Sequence, residues 1–484
     1  MSTTWPQLFP REVLLQASTG GRLTCLCLGL EAWRRGLKVT WVDGHLKHVV
    51  ITGDDTSLRF LHSLPQSLTP PEDDERLIDK WATKSLLRAR GISVPRGVLI
   101  ENTASVTPQD LDAVARDVGY PLVIKPHDGT MGRGVFTGIE TPVDLHRNFE
   151  YLRLRYPDSS ILIEEHVIGD DYRVLVVGDN AVAAVKRVPA SIEGDGSRTV
   201  RQLIDAKNAV RRLNPFLSKG LIKIDVEVNE LLAAQGLDLD GVPDARQKVR
   251  LRSAANASAG GDVVDCTDSL PEGMRQAAID ATAAMPNIHV AGVDFLHDAD
   301  SGNGHSIIEI NSRPHIGVHM FPTHGAGRDV PLAMIDHFFP TSRRPERPDD
   351  AMLTMDLMTT RRALLSRQAD SMTVAPLPAH GFPVRLRWIL PRTVERPLER
   401  IDTLRVLRAA ADFKVSGSLT RAPDGAVHAI VAGDSEATCK GFADRVVELL
   451  GKVFLALRHE ALDHPEPWEG PLAVGFTVGD ELVR

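Results

Sequence analysis

The residues best suited to chemistry lie in three short blocks, and the first is Leu122–Val135, LVIKPHDGTMGRGV. An apolar run ends in Lys125 and enters a turn containing Gly129, Gly132 and Gly134. Glycines let the backbone turn tightly and bring its N–H groups against a ligand, so such a loop can cradle phosphate oxygens. Lys125 would add a point charge to the same oxygens. The spacing is not GxxxxGK[ST], so this is no Walker loop, and an ordinary flexible turn would read alike. In the second block, Asp294 closes one apolar run and Ile307–Asn311, IIEIN, forms another. Alternate residues of a strand share a face, so Glu309 and Asn311 project together while Ile308 and Ile310 turn to the core. Asp294, on a neighbouring antiparallel strand, would complete a hard-oxygen set suited to Mg²⁺ held jointly with phosphates. Polar residues on the solvated face of an edge hairpin would give the same pattern. The third block is Ile161–Arg173, ILIEEHVIGDDYR, where a strand delivers Glu164 and Glu165 before an acidic turn with Asp170 and Asp171. Backbone groups at such a strand end can meet an adenine edge, with a carboxylate accepting from ribose hydroxyls. Taken alone, a solvated acidic turn explains it better.

The elements needed to hold these blocks are legible in the apolar spacing. Strands are expected at Leu122–Lys125, Ile161–Glu164, Tyr172–Val177, Ala181–Arg187, Val249–Arg252, Val290–Phe295 and Ser306–Asn311, with helices at Pro108–Val118 and Glu272–Ala284. Mixing without strict βαβ alternation predicts an α+β or mixed-sheet domain. Upstream, Leu23–Leu30 (LTCLCLGL) reads as a buried strand, Glu31–Gly36 as helical and Leu37–Val42 as a second strand. Glu75–Arg90 has helical spacing, stopped by Gly91. Downstream of the proline-rich Pro340–Asp350, a strand at Pro383–Leu390 and a helix near Arg400–Asp412 come first. Two strands flanking Pro423–Asp424–Gly425 and a helix at Ser435–Leu450 complete the βαββαβ order of a ferredoxin-like fold. The expected domains are 1–74 (small α/β), 75–340 (the α+β domain with the three blocks), a linker at 341–355, and 356–484.

Bulk properties narrow the function classes. A chain of 484 residues exceeds one core, so several domains are expected. Its net charge of −8 argues against a dominant nucleic-acid or anionic-membrane partner. Cys25, Cys27, Cys266 and Cys439 form no CxxC pair or zinc spacing, and read as reduced thiols. MSTTWPQLFPREVLL lacks the charged and apolar regions of a signal peptide, and no apolar run approaches a membrane span. A cytoplasmic protein is the expectation.

Taken in order, the blocks resemble the ATP-grasp superfamily, and more closely the ATP-grasp region of cyanophycin synthetases and amino-acid ligases. The resembling residues are Asp79–Lys80, Lys125–Pro126 with its glycine loop, Arg187–Ala190 leading to Gly194–Asp195–Gly196, Leu251–Gly261 (LRSAANASAGG), and Gly292–Asn311. They cover roughly residues 75–335. The resemblance implies ATP and Mg²⁺ (or Mn²⁺) as cofactors and a carboxylate–amine ligation through an acyl phosphate. It implies that Lys80 and Lys125 contact phosphates, that Glu164, Glu165 and Val167 line the adenine, and that Asp171 meets the ribose. Asp294, Glu309 and Asn311 would hold the metal, and Arg252 and Asn256 would serve the transferring phosphate. Lys186 and Arg187 are alternatives for a further phosphate contact. Ser312–His319 departs from the glycine-rich segment of the cyanophycin enzymes, and their second, P-loop ATPase module has no counterpart in this sequence. That segment, with His319, His324 and Arg328, is expected to border the acceptor pocket, where Arg313 would pair with a substrate carboxylate.

Residues Arg400–Leu450 also resemble an acylphosphatase-like domain, with Thr403 and Ala422 standing where that family has its phosphate-binding Arg and its Asn. A non-catalytic cap, docking surface or oligomer contact is expected there, and a homo-oligomer is compatible with it. The leading functional expectation is a ligase joining amino acids or amino-acid-like metabolites, with small-molecule carboxylate and amine substrates. The alternatives are an enzyme extending or capping a peptide terminus, and a non-catalytic ATP-binding regulator.

Overall fold

The computed structural model describes residues 4–6, 8–17, 22–129, 134–298, 304–345, 353–377, 381–390, 398–422, 425–450, 465–479 and 482. Gly132, Pro423 and Asp424, together with residues 346–352 of the expected linker, lie outside them. The chain divides into two compact units. One comprises Met1–Pro6, Ser18–Cys25 and Leu58–Phe338; the other comprises Gln7–Ala17, Leu26–Ser57 and Phe339–Arg484. Residues 1–74 are therefore shared between the two units.

The first unit contains the three blocks. Helices α1 (Pro71–Ile78) and α2 (Lys80–Ala89) replace the single helix expected over Glu75–Arg90. Asp79 breaks the run because it is extended, with ψ 98°, and its carboxylate accepts from the backbone N–H groups of Trp81 and Ala82 at 3.0 Å. An aspartate satisfying two otherwise unpaired amides favours starting a new helix over continuing the old one. Lys80 consequently falls in the first turn of α2.

A four-stranded antiparallel sheet follows, built from β1 (Gly97–Ile100), β2 (Leu122–Pro126), β3 (Phe136–Ile139) and β4 (Ile161–Glu165) in the order β1-β4-β2-β3. Helices α3 (Pro108–Val118) and α4 (Pro142–Arg155) supply Leu111, Ala115, Leu145, Phe149 and Leu152 to its core. A capping box at Thr107 and Asp110, with Pro108 at the first position, fixes where α3 begins.

The second sheet has five antiparallel strands. These are β5 (Asp170–Val177), β6 (Asn180–Val188), β9 (Asp262–Asp265), β10 (Val290–His297) and β11 (His305–Asn311), in the order β9-β6-β5-β10-β11. Between β6 and β9 the chain forms β7 (Ser191–Glu193) paired with β8 (Lys248–Arg250), covered by α5 (Val200–Arg212) and α6 (Val226–Ala234). One face of the five-stranded sheet is apolar: Val174, Val176, Ala184, Ala291, Val293 and Phe295 pack with Met274, Ala278 and Ala281 of α7 (Glu272–Ala284). Strand alternation then commits the intervening residues, many of them charged, to the opposite face. Helices α8 (Gly317–Met320) and α9 (Val330–Phe338) follow β11.

Upstream of the three blocks' elements, Leu23–Leu30 corrects the sequence expectation. It is not a strand but part of the helix Arg22–Arg34, and every residue from Leu23 to Arg34 is buried. A continuous apolar run carries no period, so it suits a helix buried all round as well as a buried strand. Lys38–Trp41 is a strand, paired with His48–Thr52 and with Met372–Thr373. The C-terminal elements are β12 (Val384–Leu390), α10 (Arg400–Asp412), β13 (Ser416–Arg421), β14 (Val427–Gly433), α11 (Glu436–Leu450), β15 (Glu466–Pro467) and β16 (Phe476–Val478). Their sheet runs β15-β12-β14-β13-β16, and both helices contribute to its core through Val406, Ala410, Phe442 and Val446.

Candidate functional site

Lys125 leaves β2 at 9% exposure and meets a carboxylate rather than solvent: its Nζ is 2.6 Å from Glu164 Oε2. Glu164, on β4 and 2% exposed, also accepts from Lys84 of α2. Burial disfavours the charged form of all three groups, so each depends on the others. Burial pushes Lys84 down to about 7, aided by the charge of Lys125 and opposed by Glu164. Burial also works against the Glu164 carboxylate, yet the two ammonium groups outweigh it and hold its pKa below the ordinary range. Sequence reading put Glu164 at an adenine edge; here it anchors two lysines. It did not single out Lys84, although four-residue spacing from Lys80 places both on one face of a helix.

Lys80 ties this cluster to the second sheet. Its Nζ donates to the Gly129 carbonyl and lies 3.7 Å from Glu309 Oε1 on β11. Glycine loop and acidic strand therefore converge on one lysine. Gly134, at the far side of the loop, has φ +72°, a conformation in which other residues are strained.

On the five-stranded sheet the pairing register assembles a charged face. Asp294 pairs with Glu309 on one side and with Arg173 on the other, and Asn311 pairs with Gly292. Arg173 forks onto Asp294, with Nε 2.6 Å from Oδ1 and a terminal nitrogen 2.7 Å from Oδ2. Arg187 reaches Asp294 Oδ2 at 3.1 Å and Asp171 Oδ1 at 2.6 Å. Lys186, one residue earlier, points to the opposite face and pairs with Asp170 at 2.5 Å. Strand parity thus separates the two cations that sequence spacing left open. Burial acts against the Asp294 carboxylate, but Arg173 and Arg187 hold its pKa below the usual range. Asp171 behaves oppositely: burial pushes it up to about 6, and Arg187 only partly offsets this. Arg173 was missing from the sequence-derived set, yet it sits two residues after Asp171, the signal that would have placed both on one face.

Residues 77–316, which carry both clusters, match the family model for an ATP-grasp domain. This segment is an ATP-grasp domain. The chain is 33% identical over 286 residues to a cyanophycin synthetase of Crocosphaera subtropica, covering 57% of this chain and 31% of that protein. It is 32% identical over 271 residues to the glutathione biosynthesis bifunctional protein GshAB of Listeria innocua, covering 54% and 34%. The chain therefore spans about a third of the length of these curated relatives. Among solved structures, a bifunctional glutathione synthetase from Pasteurella multocida aligns with a TM-score of 0.48 at 26% identity, covering 61% of this chain and 40% of that one.

Other residues singled out from the sequence do not take part in the hydrogen bonds and ion pairs of the two clusters. Arg252, 8% exposed, donates to Asp225 at 2.7 and 2.8 Å, to Glu227 at 2.7 Å and to the Lys223 carbonyl at 2.8 Å. Asn256 uses its side-chain oxygen to bind the Ser258 N–H and hydroxyl, closing the turn Ala257–Ala259. Glu165 is held by Arg96, whose N–H and Nε lie 3.0 and 3.1 Å away, and Val167 is half-buried just beyond β4. Arg313 pairs with Asp74 of α1, a carboxylate of this chain, and Ser312 donates to the same side chain at 2.5 Å. His319 is fully buried, and neither ring nitrogen has a hydrogen-bond partner. Burial, followed by the nearby charge of Arg173, pushes it down to about 3, so it is a neutral imidazole.

ATP-grasp ligases in general use ATP and a divalent metal ion, and the donor chemistry fits both. Asp294, Glu309 and Asn311 are hard oxygen donors gathered by one strand pair, and Asn311 keeps a buried side-chain nitrogen without a partner. Among the described residues, no group of three or more His, Cys, Asp or Glu is placed to hold a metal unaided. Magnesium commonly needs only one or two carboxylates because substrate phosphates complete its shell. Among the described residues, no helix is long and apolar enough to cross a membrane.

Proposed function

We propose that this protein is an ATP-dependent carboxylate–amine ligase that joins amino acids or amino-acid-like metabolites and releases ADP and phosphate. The observation carrying the proposal is the bridge made by Lys80 between the Gly129 carbonyl and Glu309. It links a phosphate-cradling loop to a metal-binding strand pair.

Lys80 and Lys125 serve the phosphates of ATP, cradled by the loop of Gly129, Gly132 and Gly134. Glu164 orients Lys125 and Lys84, while the segment from Glu165 to Val167 borders the adenine. Asp294, Glu309 and Asn311 hold a divalent cation, which offsets phosphate charge so that a carboxylate nucleophile can approach. A substrate carboxylate oxygen attacks the γ-phosphorus, the bond to the ADP oxygen breaks, and an acyl phosphate forms. The amine nitrogen then attacks the acyl carbon, phosphate leaves with the C–O bond electrons, and the nitrogen's excess proton passes to solvent. Aligning the two substrates contributes up to about 7–11 kcal/mol in well-oriented cases. Excluding water protects the acyl phosphate until the amine arrives.

Arg187 is the further phosphate contact in this reading, because it shares a face with Asp294 and Lys186 does not. Asp171 is the candidate for the ribose. Arg252 and Asn256 belong to a loop that serves the acyl phosphate, and Arg313 borders the acceptor carboxylate. The C-terminal elements from β12 to β16 form an acylphosphatase-like plait without that family's chemistry: Thr403 lies within α10 and its hydroxyl bonds the Glu399 carbonyl at 3.4 Å.

A matrix of amino-acid pairs, scored for ADP release and for product mass, tests the proposal. Amine-dependent ADP release with a mass equal to the two acids less water is expected. ATP binding without ADP release for every pair would sink the ligase reading.

A further inference from the structure

The carboxylate proposed as a metal ligand is already held by two guanidinium groups. Asp294 is 3% exposed, and its two oxygens receive three guanidinium contacts, at 2.6 and 2.7 Å from Arg173 and 3.1 Å from Arg187. A forked arginine on a buried carboxylate is directional and strong, because the planar donors match both oxygens at once. A divalent cation cannot take the same lone pairs while that fork is in place.

Charge balance leads the same way. Arg173, Arg187, Asp171 and Asp294 together are neutral, and all four lie on one face of the sheet. Adding a doubly charged cation alone would leave this partly buried group with an uncompensated charge of +2, which burial opposes. Adding the cation together with a polyphosphate removes that excess. The displaced guanidinium would then have the anionic oxygens of the polyphosphate as partners. Arg173 stays cationic throughout, since arginine does not lose its proton in proteins.

We propose that Arg173 is a place-holding cation: it occupies Asp294 while nucleotide is absent and transfers to the oxygens of the migrating phosphoryl group when metal and nucleotide enter together. The inference rests on the ligase reading for its phosphoryl half; its metal half depends only on Asp294. It assigns Arg173 two partners in sequence, a carboxylate and then a phosphoryl group. It also makes cation binding conditional on nucleotide binding.

The test uses the full chain and Mn²⁺ as the probe, followed by electron paramagnetic resonance without nucleotide. Wild-type protein is expected to bind Mn²⁺ weakly. Arg173→Gln removes the competing cation and leaves the group one negative charge richer, so Mn²⁺ affinity should rise about tenfold or more. Arg173→Lys keeps the charge but loses the fork, and should fall between the two. Combining Arg173→Gln with Asp294→Asn should abolish the gain. In the ligase assay, Arg173→Gln should lower kcat about 100-fold while shifting the KM for ATP only a few-fold. Unchanged or weaker Mn²⁺ binding in both single variants overturns the proposal, as does a gain that survives Asp294→Asn. A Mn²⁺ gain with unchanged kcat overturns the phosphoryl half. Wild-type protein that shows the metal contrast but never releases ADP would count against the ligase reading instead.

Discussion

Glu164 and Asp294 are both buried carboxylates gripped by two cations, one in each sheet of the ATP-grasp domain, yet the pairs differ in what their cations can do. Glu164 holds Lys125 and Lys84, and burial has already brought Lys84 down to about 7. Asp294 holds Arg173 and Arg187, which keep their charge at any accessible pH. A lysine cluster can relieve lost charge balance by releasing a proton. An arginine cluster must find another anion. The first suits a site where a polyanion is gripped, and the second suits one where a carboxylate is exchanged for a phosphoryl group.

Four substitutions would break or sharpen this contrast. Asp294→Asn leaves two guanidinium groups facing a neutral amide, and should cost about 3–5 kcal/mol of stability. A fall in the thermal midpoint measures it; a midpoint within a degree of wild type would show that the arginines re-pair at no cost. Lys125→Ala should lower ATP-dependent turnover about 10²- to 10³-fold while the circular dichroism spectrum stays that of the wild type. Near-normal ADP release from that variant would remove Lys125 from the phosphate site.

Glu164→Gln should destabilise less than Asp294→Asn, by about 1–3 kcal/mol, because Lys84 can shed its proton near neutral pH. Equal losses for the two variants would erase the distinction between the clusters. The smallest effect concerns pH. Lys84 has a folded pKa of about 7 against an ordinary 10.5, so between those values the unfolded chain holds a proton that the folded chain has released. Its contribution therefore makes stability rise with pH across that window and level off above it. Lys84→Met should flatten this slope in denaturant titrations from pH 7 to 10; an unchanged slope would assign it to another group.

How much of this was legible beforehand depended on whether a feature was local. Pro108–Val118 and Glu272–Ala284 were readable as helices, since the apolar spacing of each lies within the segment itself. Leu23–Leu30 was misread because an unbroken apolar run has no period to separate strand from helix. The break at Asp79 escaped notice because a capping aspartate inside helical spacing looks like an ordinary exposed residue. Lys84 and Arg173 were passed over although each stood at a telling interval from a residue already chosen.

The sequence by itself determined the chemical inventory: a lysine before a glycine loop, an Asp and a Glu–x–Asn on apolar strands, and the order in which they occur. Alternation even decided that Glu309 and Asn311 share a face. Only the tertiary structure decided the pairings. Glu164 meets Lys84 80 residues away, and Asp294 meets Arg173 across 121. Such contacts depend on sheet register and on which helix covers which face. Those choices are made by burying apolar surface across the whole domain, and no local window of sequence contains them.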